Sequence, residues 1–170
     1  MHALVQGSPS VASSLPWTSM SLPHRIAAGA IVVRDDTILL VRYRDPGGGT
    51  YLVAPGGGVL DHESVADAAV RETLEETGVC VAPGPVLLIE DILATRFKMC
   101  KVWLSCDVTA GDVSPTEGAH LEEILEARWF RRDELDAELV YPWIVTARAW
   151  QLFRARPYAT EISPPRRALF

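Results

Sequence analysis

The sequence predicts an α/β fold in which a mixed β-sheet is covered by helices. Three observations carry this expectation: β-rich runs joined by turns of hairpin length, only two or three helical patterns, and more strand patterns than helical ones. A doubly wound parallel sheet would need a helix between most pairs of strands. The chain has 170 residues, which at about 150 residues per domain gives one domain with its ends. Its 48% hydrophobic, 22% charged and 8% aromatic residues can build a core, so disordered and collagen-like classes are excluded.

Residues 1–24 contain Ser, Pro and Gly without a sustained period, as in Gly7-Ser8-Pro9-Ser10, and read as a loose leader in which Met20 is an alternative start. The domain is expected over residues 25–155. Ile26–Val33 and Thr37–Tyr43 are β-rich runs separated by Arg34-Asp35-Asp36, a charged turn of hairpin length. Pro46-Gly47-Gly48-Gly49 is a loop, Tyr51–Ala54 a short strand, and Pro55-Gly56-Gly57-Gly58 a second glycine loop. It leads into a helical pattern from about Glu63 to Thr77, which Gly78 ends in the usual C′ place. Strands are expected at Val86–Leu93, Met99–Val108 and Leu125–Phe130, with a polar stretch from Thr109 to His120 between the last two. Arg132–Leu139 reads as a short helical piece and Pro142–Arg154 as a helix with proline at its start. From Arg156 to Phe170, Pro157, Pro164 and Pro165 are poor material for a packed element, so this stretch reads as a tail.

Sixteen Lys and Arg against twenty-two Asp and Glu give a net charge of −6, which argues against a nucleic-acid polymer or an anionic membrane as partner. No apolar stretch approaches the roughly 18 residues of a membrane span, and residues 1–20 lack the pattern of an export signal. Cys80, Cys100 and Cys106 are odd in number and form no Cys-x-x-Cys pair, so neither a disulfide framework nor structural zinc is expected. Cys100 and Cys106, six apart on an apolar strand, face the same way and read as core. Together these features suggest a cytoplasmic protein with buried thiols; a homodimer is compatible with them.

Chemistry is concentrated between Gly57 and Val79. At about 100° per residue, Glu72, Glu75 and Glu76 share one helix face, while Ala66, Val70, Thr73 and Thr77 form a side small enough to lie on a sheet. Such like charges oppose helix formation by roughly 0.2–0.5 kcal/mol per pair, and toward the C-terminal half the helix dipole disfavours them further. A hard cation, Mg²⁺ or Mn²⁺, would neutralise an all-oxygen set that has no His or Cys. Arg71 lies between Asp67 and Glu75 and can brace a ligand carboxylate. A solvated acidic face with one Arg salt bridge is the plainer alternative. The glycine loop just before the helix, with Gly56, Gly57 and Gly58, can bring backbone close to a phosphate or a metal; no Gly-Lys-Ser/Thr follows, so it is not a P-loop.

Gly57, five residues, Glu63, seven residues, then Arg71-Glu72-Thr73-Leu74-Glu75-Glu76-Thr77-Gly78-Val79 resembles the Nudix box, the 23-residue signature of the Nudix hydrolases, the MutT-like enzymes. The resemblance extends over roughly residues 25–140, to the preceding hairpin, the Pro-Gly-Gly at the mouth of the box, and Ala127-Arg128-Trp129-Phe130 with Asp133-Glu134-Leu135 downstream. Thr73, Leu60, His62 and Leu52 depart from residues common in the family (an aliphatic, Glu, Gly and Trp). Thr73 still suits the packed face, whereas Leu60 and His62 alter the loop over the metal.

The resemblance implies an α/β/α sandwich with the mixed sheet between helices, and a metal-dependent pyrophosphohydrolase. Its substrate would be a nucleoside diphosphate linked to another moiety, a small nucleotide or nucleotide sugar, whose phosphoanhydride is cleaved by water attack on phosphorus. Carried over by position, Glu72, Glu75, Glu76 and the Gly56 carbonyl would hold Mg²⁺ or Mn²⁺, with Arg71 and Glu63 orienting them. Some members use a glutamate of the box as general base and others one from a loop before the last strand; here the order is Glu76, then Glu123 and Glu122, with Glu117 in the same stretch. Arg42 and Arg44, leaving the second strand toward the glycine loop, are candidates for substrate phosphates with Gly57 and Gly58, with an exposed strand-end salt bridge as the equal alternative, and Arg96, Lys98 and Lys101 are weaker candidates. Tyr51, Trp103 and Trp129 could stack a base, although core packing suits the tryptophans better. Neither the proline placement of ADP-ribose pyrophosphatases nor the Ser-Gln-Pro-Trp pattern of NADH-cleaving members is present. The runner-up is a Nudix-fold sensor that binds a nucleotide without turnover, which loss of box carboxylates would favour; none is lost. A purely structural acidic helix leaves the glycine entry and the spacing unexplained.

Overall fold

The computed structural model describes residues 22–114, 116–147, 160–163 and 165–167. The expected leader therefore lies mostly outside the described residues. Strand β1 (His24–Arg34) turns at Asp35-Asp36 into β2 (Thr37–Arg44), with Arg34 paired to Thr37 across the two-residue turn. Asp35 adopts φ 54°, a left-handed value that Asp tolerates in such turns. β3 (Thr50–Val53) pairs antiparallel with β2, and the glycine loop follows it into helix α1 (Val65–Thr77). β4 (Cys80–Leu93) and β5 (Lys98–Ala110) form a long antiparallel hairpin.

The sheet order is β7-β3-β2-β1-β5-β4-β8, where β7 is Val140–Tyr141 and β8 is Glu161–Ile162; β6 (Glu126–Arg131) pairs with β2, and β9 (Arg166–Arg167) with β4. β1 joins the two halves. It runs parallel to β5 from His24↔Lys98 to Val32↔Cys106, yet pairs with β2 only at Val33↔Ile38 and Arg34↔Thr37. Parting from β2 so early leaves backbone groups of β1 free for the glycine loop: the Ala28 and Ala30 amides donate to the Gly57 and Pro55 carbonyls, both at 2.9 Å.

Both faces of the mixed sheet are covered, as an α/β/α layering requires. On one face Ala68 and Ala69 of α1 pack on Ala28, Ala30, Val32, Leu104 and Cys106. On the other, Leu135 and the short helix α3 (Ile144–Ala147) pack on Ile31, Leu40, Leu52 and Trp103. Small residues on α1 let the helix axis approach the sheet closely.

Several boundaries differ from those read in the sequence. β4 begins at Cys80 and runs through Pro83-Gly84-Pro85, because register shifts absorb the residues that cannot keep the ladder. The polar stretch before β6 contains a five-residue helix, α2 (Glu117–Leu121), capped by the Thr116 side chain. Arg132–Leu139 shrinks to a 3-10 turn over Arg132–Glu134. Of the expected helix Pro142–Arg154, Ile144–Ala147 is helical and most of the remainder lies outside the described residues. In the stretch read as a tail, β8 and β9 add to the β4 edge, where unpaired backbone groups accept short strands. Cys100 is exposed rather than core: it shares a face with Cys106, but it pairs with the exposed Ile26 beyond the part of the sheet that α1 covers. No helix among the described residues is long and apolar enough to cross a membrane.

Candidate active site

The glycine loop is wedged between β1 and α1, and this wedge leaves no room for a side chain at two of its positions. Gly56 has φ 149°, and a Cβ there would overlap the Ala28 carbonyl. At Gly57 a Cβ would stand 2.5 Å from Glu72 Oε1, inside contact distance. Only backbone fits on both sides.

Helix α1 opens on a capping box: the Asp67 amide donates to Ser64 Oγ at 3.1 Å, while the Ser64 amide donates to the Asp67 carboxylate at 3.2 Å. Gly78 closes the helix in the left-handed conformation. Between these ends the helix does not separate a packing side from a charged side. Glu72 and Glu76 lie within the buried arc with Ala68, Ala69, Thr73 and Thr77, and are only 5% and 1% exposed.

Glu76 has a donor on each oxygen: the Tyr43 hydroxyl at 2.6 Å from Oε1 and the Gly56 amide at 2.9 Å from Oε2. Glu72 accepts from Arg71 Nη1 at 2.9 Å through Oε1, while its Oε2 is buried with no hydrogen-bond partner. Glu122, at the end of α2, lies 3.1 Å from the Tyr43 hydroxyl. One oxygen each from Glu72, Glu76 and Glu122 falls within 4.8 Å of the others. The Thr116 hydroxyl holds α2 to this place by donating to the Glu75 carbonyl of α1.

Arg71 braces the cluster. Its guanidinium donates to Glu63 at 2.7 and 3.0 Å, to Glu72 at 2.9 Å, to Glu75 at 2.8 Å and to the Gly58 carbonyl at 3.0 Å. These bonds, with the Leu60 amide, hold the Glu63 carboxyl down at about 2. Burial acts oppositely on the others, raising Glu72 and pushing Glu76 up to about 8 against the donors that hold its charge. Burial and the carboxylates of Glu76 and Glu122 keep the Tyr43 phenol protonated well above its usual range.

This donor set fits a hard divalent cation. Three carboxylates converge, one of them with a buried oxygen that has no partner, and the charges that repel each other in the protein alone would be drawn together by Mg²⁺ or Mn²⁺. Gly56 is adjacent, but its carbonyl accepts from Lys101 Nζ at 3.0 Å.

The remaining residues singled out in the sequence are distributed as follows. Glu75 is at the rim, engaged by Arg71, and is not among the three converging carboxylates. Glu123, at φ 57°, and Glu117 are exposed, and it is Glu122 that stands at the cluster. Arg42 is already taken up by carboxylates, Glu126 at 3.0 Å and Glu138 at 2.9 Å, so it is a tie between β2, β6 and the segment before β7 rather than a free phosphate ligand. Arg44 is exposed at the end of β2, Arg96 is exposed, and Lys98 pairs with Asp91. Gly57 and Gly58 line the site. Tyr43 was not marked by the sequence, since strand alternation gives the side of the sheet it occupies but not what its hydroxyl meets.

A cavity of about 720 Å³ opens beside the cluster, lined by Tyr43, Tyr51, Tyr141, Trp103, Lys101 and the glycine loop. Tyr43 and Tyr51 stack at 5.7 Å between centroids, and Tyr141 meets Tyr51 edge-on at 6.0 Å. Lys101 lies 4.3 Å from the Trp103 ring centroid, and Trp103 donates to the buried Glu90 at 2.7 Å. Trp129 is elsewhere, under the Arg34 guanidinium.

Residues 23–151 match the family model described as the NUDIX domain. Among solved structures, a MutT NUDIX hydrolase from Burkholderia pseudomallei is 28% identical, with TM-score 0.60, covering 75% of this chain and 96% of its own. An ADP-ribose pyrophosphatase from Streptococcus suis is 24% identical, with TM-score 0.62, covering 82% and 98%. A UDP-X diphosphatase is 21% identical, with TM-score 0.62, covering 87% and 70%. The last two likenesses show the shared fold.

Proposed function

The chain belongs to the NUDIX domain family, that of the Nudix pyrophosphohydrolases, and from that membership we propose that it cleaves the phosphoanhydride of a nucleoside diphosphate linked to another moiety, with Mg²⁺ or Mn²⁺. The observation that carries the proposal is the convergence of Glu72, Glu76 and Glu122, with the unpartnered Glu72 Oε2, directly against the glycine loop. When bound, the cation would neutralise the diphosphate, lower the pKa of water and stabilise charge on the leaving phosphate. Glu72 and Glu76 are the residues to hold it throughout, and Glu122 would complete the set before substrate arrives. Glu75 reaches it only by leaving Arg71, and the Gly56 carbonyl has a second lone pair beside the one Lys101 uses.

Glu122 is the residue to accept the proton of the attacking water. It is exposed, whereas Glu76 is enclosed with a donor on each oxygen and has little freedom to meet a water. Arg71 keeps Glu72 and Glu63 in place, and the Gly57 and Gly58 backbone leaves room for phosphate oxygens. The aromatic walls of the neighbouring cavity suit the planar base of the nucleoside.

The test is incubation with a panel of nucleoside diphosphate derivatives, ADP-ribose and UDP-linked sugars included, in Mg²⁺, Mn²⁺ or chelator. Release of a nucleoside monophosphate with metal and none in chelator is expected. Tight binding of a panel member without product would make the protein a sensor, and turnover undiminished by chelator would overturn the metal site.

A further inference from the structure

Tyr43 stands where the aromatic wall and the carboxylate cluster meet. Its ring is stacked on Tyr51, itself in edge contact with Tyr141, so packing fixes where the phenol oxygen can be. That oxygen lies 2.6 Å from Glu76 and 3.1 Å from Glu122, and so between a carboxylate of α1 and one at the end of α2. A phenol has one proton and can donate to only one carboxylate at a time, which makes it a divider shared by two groups that would otherwise repel across a short gap. Among the described residues, Tyr43 is the one side chain hydrogen-bonded to Glu122, which is otherwise exposed. Glu76 also has the Gly56 amide, so Tyr43 contributes most where the site is least constrained.

We infer that Tyr43 is a positioning residue that fixes Glu122 against Glu76, preparing the two carboxylates for a divalent cation before any substrate arrives. This rests on the metal reading of the cluster. It goes beyond that reading in assigning the arrangement to a residue on β2, outside the box, whose ring belongs to the substrate cavity. A hydroxyl carried by a rotatable chain would not serve. The phenol has two side-chain torsions and both are held by the stack, so little freedom is left to lose when the ion binds.

The experiment is a titration of the full chain with Mn²⁺ alone, following free Mn²⁺ by electron paramagnetic resonance, for the wild type, Tyr43→Phe and Tyr51→Phe. Tyr43→Phe removes a single oxygen and keeps the ring on Tyr51, and near-ultraviolet circular dichroism with a melting curve verifies that the stack survives. The expected result is Mn²⁺ affinity weakened about tenfold or more in Tyr43→Phe, the usual cost of losing an outer partner of a metal ligand. Tyr51→Phe, which loses the same atom one ring further out, should bind as the wild type does. A merely structural hydroxyl would lower the melting temperature and leave the titration unmoved. Wild-type affinity in Tyr43→Phe overturns this inference alone, and so does an equal loss in both variants. A wild type that binds no Mn²⁺ overturns the metal reading and this inference with it.

Discussion

Glu76 joins three elements through one carboxylate, because its oxygens face the Tyr43 hydroxyl of β2 and the Gly56 amide of the glycine loop while its backbone belongs to α1. In Glu76→Gln the amide oxygen can still accept from Gly56 and the amide nitrogen can donate to the Tyr43 oxygen, so the fold should survive. Activity should fall by about 10²-fold or more, as for loss of an acid–base or charge-bearing group; turnover at the wild-type rate in saturating metal would refute the assignment. The same residue sets a pH dependence. Its carboxyl is pushed up to about 8 by burial, against a value near 4.3 in an unfolded chain. The stability it contributes is complete below the unfolded value and is lost as pH rises through 8, because the unfolded chain ionises first. Melting temperatures of the metal-free protein should therefore decline between about pH 4.5 and 8 by more than those of Glu76→Gln, in which the group cannot ionise. Equal slopes for the two proteins would exclude this account. Glu63, held down at about 2 by Arg71, acts in the opposite sense: its contribution is present above its ordinary value and is lost only as pH falls toward 2.

At the scale of elements, α1 carries an awkward load, since it buries Glu72 and Glu76 and places acidic groups near its C-terminal end. The capping box at Ser64 and the Arg71 brace compensate at the other end and along the outer side. Ser64→Ala removes the acceptor for the Asp67 amide and should cost about 1 kcal/mol, which lowers the melting temperature by roughly 2–4 °C in a chain of this size. A calorimetric scan reads this directly, and Ser64→Thr, which keeps both the acceptor for the Asp67 amide and the hydroxyl donor to the Asp67 carboxylate, should recover most of it. The early parting of β1 from β2 matters equally. If the two strands paired along their full length, the Ala28 and Ala30 amides would be used in the ladder and the glycine loop would lose its anchor.

For the molecule as a whole, the proposed metal site would couple folding to ligation. Three carboxylates gathered from α1 and the end of α2 exist as a set only in the folded chain, so a divalent cation held by them, as proposed, would bind the native state and not the unfolded one. Mg²⁺ at one hundred times its dissociation constant should stabilise the protein by about 2.7 kcal/mol. Thermal melting with increasing Mg²⁺ should show a continuing upward shift that chelator abolishes. Because protons compete for these oxygens, the shift should grow with pH over the same window in which the metal-free protein weakens. An Mg²⁺ shift independent of pH would place the ion elsewhere.

The spacing of glycines, glutamates and Arg71 between Gly57 and Val79 determined, without any structure, the helix, its glycine entry and an acidic constellation suited to a hard cation. Such signals are local: a capped helix and a glycine turn are decided within a few residues, and box spacing is read along the chain. The mixed sheet was legible for the same reason, from strand patterns too numerous for the helices between them. Which acid joins Glu72 and Glu76 from beyond the helix was decided by the tertiary structure alone. Glu75 and Glu76 are neighbours in sequence, yet Glu75 turns to Arg71 while Glu76 is joined by Glu122 from α2. Arg42 could serve phosphate or a salt bridge as far as the sequence goes, and β6 and the segment before β7, by supplying Glu126 and Glu138, made it the salt bridge. Tyr43 acquired its place between two carboxylates only when β2, α1 and α2 packed together. Contacts of this kind span 33 to 96 residues and depend on the angle at which separate elements meet, a quantity that periodicity along one segment does not contain.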